Sequence, residues 1–226
     1  MRKQFRRTVC VVLSAAMVFT SGNFSDVKIN VPWDFSAVAN AIKTITVSDT
    51  TEVTSSIVKD TVLLNALKEI VGGGSNITVK QLRDFEGTID LSDYPDIASI
   101  EGLGYARSAS VIDISKLTKV MTIPKEEFYN CAMTKVMLPE TIKTIESSAF
   151  YGCKNMTYIN IPDSVIRIYD NAFEGCESLK DVNVTDGLVL PANLVKLGNQ
   201  AFANCSSLKS VVISNKLSTS ISATED

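Results

Sequence analysis

The feature that most constrains this chain is a step of 23 residues. Residues 149–173 begin and end on the same Ala-Phe pair, and a cysteine follows each phenylalanine by three residues, Cys153 after Phe150 and Cys176 after Phe173. A period of that size marks a solenoid, in which each repeat is one supersecondary unit that buries its apolar face only by stacking on its neighbours. Inside the repeat, Met156, Ile159 and Ile161 have the spacing of a short strand with alternate residues turned inward, and Pro162 stops that strand from lengthening.

The strand positions can be counted along the chain. The first inward residues are Ile89, Ile112, Val136, Ile159, Val182 and Val211, at intervals of 23, 24, 23, 23 and 29. The second inward residues are Leu91, Ile114, Leu138, Ile161, Val184 and Ile213, each two further on, as a pleated strand requires. The long last step falls around Asp186, Gly187 and Pro191 and is expected to bulge as a surface loop between two coils. After the strands the chain turns at Pro124, Pro139, Pro162 or Pro191. It then offers the apolar pairs Ile142 and Ile145, Val165 and Ile168, Leu194 and Leu197, and closes on Phe128/Cys131, Phe150/Cys153, Phe173/Cys176 and Phe202/Cys205.

Burial arithmetic favours a stack over independent units. The inward set of one coil, Met156, Ile159, Ile161, Val165, Ile168, Ala172, Phe173 and Cys176, contributes roughly 14 kcal/mol gross at about 2 kcal/mol per large side chain. Ordering the coil costs about 1–2 kcal/mol per residue in backbone entropy alone, so a lone coil fails and the array must be cooperative.

The ends differ in character from the array. Arg2, Lys3, Arg6 and Arg7 precede an apolar run from Val9 to Phe19 and the small residues Thr20, Ser21 and Gly22, so residues 1–22 read as a secretory signal peptide. The apolar run is too short to span a bilayer, which takes about 20 residues; no stable membrane span is expected once the signal is removed. Residues 23–59 read as a linker or loosely ordered leader. Asp60 or Thr61 can cap a helix carrying Val62, Leu63, Leu67, Ile70 and Val71, which Gly72-Gly73-Gly74 ends; residues 60–87 are thus expected to form a helical cap. The array takes residues 88–214, and 215–226 is a polar tail without a wall-sorting motif, membrane helix or evident capping coil.

At 45% apolar and 21% charged residues, the chain can bury one sizeable core. Its formal charge is −3, or −7 once residues 1–22 are removed. An acidic chain is poorly suited to nucleic acid, whose affinity rests on Lys and Arg against phosphate. The chain has no histidine, which excludes the Ser-His-Asp and Cys-His nucleophile pairs and the HExxH zinc site.

Two resemblances follow from these residues. Positions 65–71, 77–82, 89–92 and 97–103 resemble the N-terminal helical cap and first repeat of internalin-like exported bacterial leucine-rich-repeat proteins. The pattern I-x-I-P-x-S-V-x-x-I-x-x-x-A-F-x-x-C, over about residues 111–213, resembles the BspA-like leucine-rich-repeat family; it degrades at Glu127, which replaces the alanine, and in the six-residue insertion. The resemblance implies an α/β, β-rich fold: a leucine-rich-repeat solenoid with short parallel strands, one per repeat, and an N-terminal helical cap. It also implies a secreted or cell-surface protein that attaches to host proteins, matrix or other cells.

Other constellations have plainer readings. The repeat cysteines lie 22, 23 and 29 apart, one per coil, which does not suit zinc; they read as buried thiols filling space, although disulfides between neighbouring coils are geometrically open. The phenylalanines read as a core spine. The sequons at Asn76, Asn155 and Asn183 are discounted, and the Gly72–Gly74 run is no phosphate loop. Asp181 and Asp186 are the carboxylate pair an enzymatic reading, glycoside hydrolysis, would use. No catalytic, cofactor or metal residues are expected.

What remains is the outward strand face. In order along the stack it carries Thr88 and Asp90, Val111 and Asp113, Lys135 and Met137, Tyr158 and Asn160, Asp181 and Asn183, Ser210 and Val212. Asp113, Lys135, Met137, Tyr158, Asn160, Asp181, Asn183 and Ser210 are the candidate ligand-binding residues, for an extracellular protein or glycan, because solenoids offer extended surfaces. The alternative is a non-binding spacer or targeting arm of a larger cell-wall protein.

Overall fold

The computed structural model describes residues 49–184 and 187–213. The expected signal peptide, most of the leader and the polar tail lie outside the described residues.

The described part of the leader belongs to the cap. Val53 and Val58 are fully buried, Glu52 bridges Thr78 in antiparallel fashion, and the Val53 N–H donates to the Ile77 carbonyl at 2.8 Å. Apolar residues at 53, 57 and 58 are too few to form a periodic pattern, which is why this docking is silent in the sequence. Helix α1 (Thr61–Gly72) starts at Asp60 and ends at Gly73, whose φ of 59° is the left-handed C-cap that glycine accepts without strain. The Asp60 carboxylate accepts from the N–H groups of Val62 and Leu63 and, with its other oxygen, from Ala98 and Ser99. Burial works against ionisation there, but the four N–H donors prevail and hold the carboxyl below its usual range. One side chain thereby caps the helix and ties it to the first coil. Helix α2 (Val79–Arg83) opens on a Thr78–Gln81 capping box.

The strands follow in chain order: β1 (Thr88–Asp90), β2 (Val111–Asp113), β3 (Thr122–Ile123), β4 (Lys135–Met137), β5 (Thr144–Ile145), β6 (Tyr158–Asn160), β7 (Arg167–Ile168), β8 (Asp181–Val184), β9 (Gly187–Val189), β10 (Lys196–Leu197) and β11 (Val211–Val212). All strand pairs are parallel, and the described residues form two sheets, β1-β2-β4-β6-β8-β9-β11 and β3-β5-β7-β10. Ile89, Ile112, Val136, Ile159 and Val182 lie in one register, so the expected parallel ribbon is present. The second sheet adds a two-residue strand to four of the coils, beyond the one strand per repeat that the sequence implied. Its buried members, Ile123, Ile145 and Ile168, continue the β-branched row already visible in the sequence.

The insertion resolves differently from its reading as a surface loop. Residues 187–189 form β9 inside the larger sheet, with Leu188 and Leu190 each 2% exposed and Pro191 buried. Val211 pairs with Leu188, 23 residues earlier, and not with Val182. The step of 29 is therefore a complete repeat preceded by a six-residue excursion that re-enters the sheet. It turns at Asn183, whose φ is 62°. The apolar residues that open this repeat, Leu188 and Leu190, are what draw the chain back into the core.

A third ladder runs along the phenylalanine edge. The N–H groups of Phe128, Phe150 and Phe173 donate to the carbonyls of Ala149, Ala172 and Ala201 at 2.7–2.8 Å. The four Phe rings stack at 5.2, 5.1 and 4.8 Å between centroids, nearly parallel. Each turn needs left-handed backbone at two places, occupied by Glu126, Ser148, Asn171 and Gln200, and by Asn130, Gly152, Gly175 and Asn204. Cys131, Cys153, Cys176 and Cys205 are buried free thiols. The Sγ atoms of the last three donate to the carbonyls of Phe128, Phe150 and Phe173 at 3.0, 3.2 and 3.1 Å. Burial pushes the Cys131 thiol up to about 12, so it stays protonated and inert.

Candidate functional site

The larger sheet turns one face to the core and one outward, so the residues on either side of each buried strand centre carry any contact surface. Val111, Lys135, Tyr158 and Asp181 stand in register on four successive strands and form one row. Lys135 is exposed and places its ammonium 5.2 Å from the centre of the half-buried Tyr158 ring. The cation thereby pre-orients the ring beside it. The second row is Asp113, Met137 and Asn160, all half-buried.

Asn160 and Asn183 do not project as the sequence suggested. The Asn160 amide accepts from the Leu138 N–H at 2.7 Å and donates to the Leu138 carbonyl at 3.0 Å. Asn183 repeats the arrangement against Ile161 at 2.7 and 2.8 Å, and also donates to the Val189 carbonyl at 2.9 Å. An amide side chain offers the same donor and acceptor as a peptide group; here it takes the place of a peptide where the chain leaves the strand. Both residues are ladder members. Asp113 and Asp90 fold back instead, each accepting from the N–H two residues on, at Ser115 and Ser92, at 2.9 Å. Ser210 lies away from the row: its carbonyl accepts from Leu188, so β9 separates it from Asp181. Of the Asp181 and Asp186 pair, Asp186 lies outside the described residues. Among the described residues, no three His, Cys, Asp or Glu side chains are grouped to hold a metal ion, and no helix is long and apolar enough to cross a membrane.

Two features escaped the reading by strand position. Tyr129 and Tyr151 stack at 4.9 Å and 4° on the outside of the phenylalanine edge; an aromatic directly after the Phe in two successive repeats was the available signal. Glu127 occupies the place of the repeat alanine, and its Oε1 accepts from the Gly104 N–H at 2.8 Å. Gly104 is required there, because a Cβ would lie 1.5 Å from the Glu127 carbonyl oxygen. Burial pushes the Glu127 carboxyl up to about 7, against the pull of the N–H groups of Gly104, Gly102 and Leu103.

The fold and this face define a leucine-rich-repeat solenoid. Residues 121–224 match the BspA type leucine rich repeat region in six copies. No curated protein matches the sequence. Among solved structures, the chain is similar to a leucine-rich-repeat protein of T. pallidum at 25% identity and a TM-score of 0.39, covering 45% of this chain and 57% of that one. A leucine-rich-repeat protein of Bacteroides ovatus is 21% identical with a TM-score of 0.46, covering 60% and 39%. An internalin of Listeria monocytogenes is 17% identical with a TM-score of 0.48, covering 70% and 44%. The chain thus spans from about two fifths to under three fifths of the length of these three structures.

Proposed function

We propose that this chain is a secreted or surface-exposed bacterial binding protein without catalytic activity, and that it contacts an extracellular protein or glycan through the outer face of its larger sheet. The contact centres on Lys135 and Tyr158, flanked by Val111, Asp113, Met137 and Asp181. The observation that carries this reading is the Lys135–Tyr158 pair, whose side chains stand on adjacent strands and take no part in the inter-coil hydrogen bonds that their backbones make. The family match over residues 121–224 supports it, since leucine-rich repeats of this class are typically binding modules. Asn160 and Asn183 support the surface from beneath, through the backbone that positions Tyr158 and Asp181.

The test is a binding screen of the full chain against extracellular-matrix proteins and glycans, followed by Lys135→Ala and Tyr158→Ala. Each variant is expected to weaken binding about tenfold or more, as buried aromatic and cationic anchors do, with an unchanged melting temperature. Unaltered binding by both would move the contact to another face. A chain that binds nothing in the screen would fit the spacer arm instead.

A further inference from the structure

The smaller sheet carries its own chemistry. Lys143, Arg167 and Lys196 are exposed on three successive coils along β5, β7 and β10. Arg167 and Lys196 are direct partners in the parallel register, and Lys143 immediately precedes Thr144, the partner of Arg167. Like charges directly opposite on neighbouring strands, about 4.8 Å apart, destabilise a sheet. A neutral pair would remove that repulsion, and among the described residues no carboxylate lies in ion-pair contact with any of the three, in contrast to Lys80, Arg83, Lys119, Lys125 and Lys154.

Two acidic groups on the same coils are engaged by main chain. Asp163 accepts from the Ala192 N–H and Asp170 from the Asn199 N–H, both at 2.8 Å. Glu146 lies two residues beyond Thr144 along the strand and makes no ion pair with the row. Lys196 places its ammonium 4.3 Å from the Tyr169 ring centre, a contact that holds the charge in position without neutralising it. The result is a line of uncompensated cations, one per coil, on a chain whose net charge is −3.

We propose that this second face binds an acidic polysaccharide laid along the stack, each of the three coils offering one cation to successive carboxylate or sulfate groups. The partner's charge is complementary, and its repeating form matches a periodic row better than a single compact anion would. Arg167 at the centre gives the forked, planar contact such groups favour, with a lysine point charge on either side. The site is separate from the larger sheet's face and stands or falls independently of it.

The experiment is binding of the full chain to immobilised heparin and to alginate, with neutral dextran as control, over a salt series. Binding to both acidic polymers but not dextran, weakening with salt, is expected. Lys143→Gln, Arg167→Gln and Lys196→Gln should each cost about threefold in affinity and the triple variant about tenfold or more. Glu146→Gln should strengthen binding slightly, and Lys59→Gln, at an exposed lysine outside both sheets, should leave it unchanged. Thermal unfolding of the same variants checks that these exposed substitutions leave the fold intact. Wild-type affinity in the triple variant, equal loss with Lys59→Gln, or binding to dextran would overturn the assignment.

Discussion

The early coils and the later coils solve one problem in two ways. At the residue that leaves each strand of the larger sheet, the chain carries Asp90 and Asp113, then Met137, then Asn160 and Asn183. In the early coils the ladder is closed by main chain: Leu91 N–H donates to the Asp113 carbonyl at 2.9 Å and Ile114 N–H to the Met137 carbonyl at 3.0 Å. In the later coils the same donor, on Leu138 and Ile161, goes to an asparagine Oδ1 at 2.7 Å. A peptide carbonyl and a side-chain amide are thus interchangeable in a ladder, provided the amide can also donate to the carbonyl beside it. Asparagine does both and aspartate cannot. The early coils are left with acidic groups at the surface, the later ones with amides locked into the stack.

The most damaging way to break this comparison is to sever the element that both halves share. Phe150 belongs to the coil of Met137 and stacks on Phe128 to one side and Phe173 to the other. Phe150→Ala should cost about 3–5 kcal/mol, and chemical denaturation followed by circular dichroism should show a single transition split into two. A loss below about 1 kcal/mol would mean that the spine is not the common support.

A sharper test exchanges one atom. Asn160→Asp keeps shape and size but sets a carboxylate against the Leu138 carbonyl, to which the Asn160 Nδ2 now donates. The variant should lose about 2–3 kcal/mol at neutral pH, the cost of an unmade buried hydrogen bond with charge repulsion added. Protonation restores an O–H donor, so the deficit should shrink as the pH falls through the carboxyl's range. Melting curves from neutral to acidic pH measure this directly; a deficit that ignores pH would show that the donation to Leu138 is not what matters.

Between the first two coils of the array, a carboxyl group stands in for the regular alanine. Glu127 titrates at about 7 in the folded chain, above its ordinary value. The unfolded chain therefore releases this proton first as pH rises. The stability it contributes is complete below the ordinary carboxyl range and is lost as pH climbs through about 7. At roughly 1.36 kcal/mol per unit, the swing is about 2 kcal/mol once the remaining solvent contact is allowed for. Glu127→Gln should abolish that slope, matching wild type in acid and exceeding it above neutrality. Parallel slopes in the two proteins would remove Glu127 from the pH response.

These elements also mark where the sequence was readable. The 23-residue step placed the ribbon from Ile89 to Val182, the phenylalanine spine and the thiol row, because burial repeats wherever coils are alike. It misjudged the insertion because interval counting treats an added strand and an added loop alike; the apolar pair Leu188 and Leu190 held the answer. It assigned Asn160 and Asn183 to the contact surface because strand alternation states which way a residue faces, but not that its amide turns back to the neighbouring peptide. Glu127 was visible as a departure, while its meaning required Gly104 to be placed against it. The basic row of the smaller sheet was written between the two members of each apolar pair, a stretch read only for its core.

The smallest expected effect bears most directly on why the two halves differ. In Asp113→Asn the new amide can still accept from the Ser115 N–H, as the carboxylate does at 2.9 Å. The Leu91 N–H remains satisfied by the backbone carbonyl of residue 113. No buried donor or acceptor changes state, so melting should shift by less than about 0.5 kcal/mol, the range of an ordinary surface substitution. A neutral result means that stability does not select aspartate at this position and leaves its charge available to the contact surface beside Lys135. A gain above about 1 kcal/mol would show that asparagine is the better ladder residue in every coil. In that case the early aspartates are held at a cost to the fold, and the outward face of the first coils, more than that of Tyr158 and its neighbours, becomes the place where a partner's charge is read.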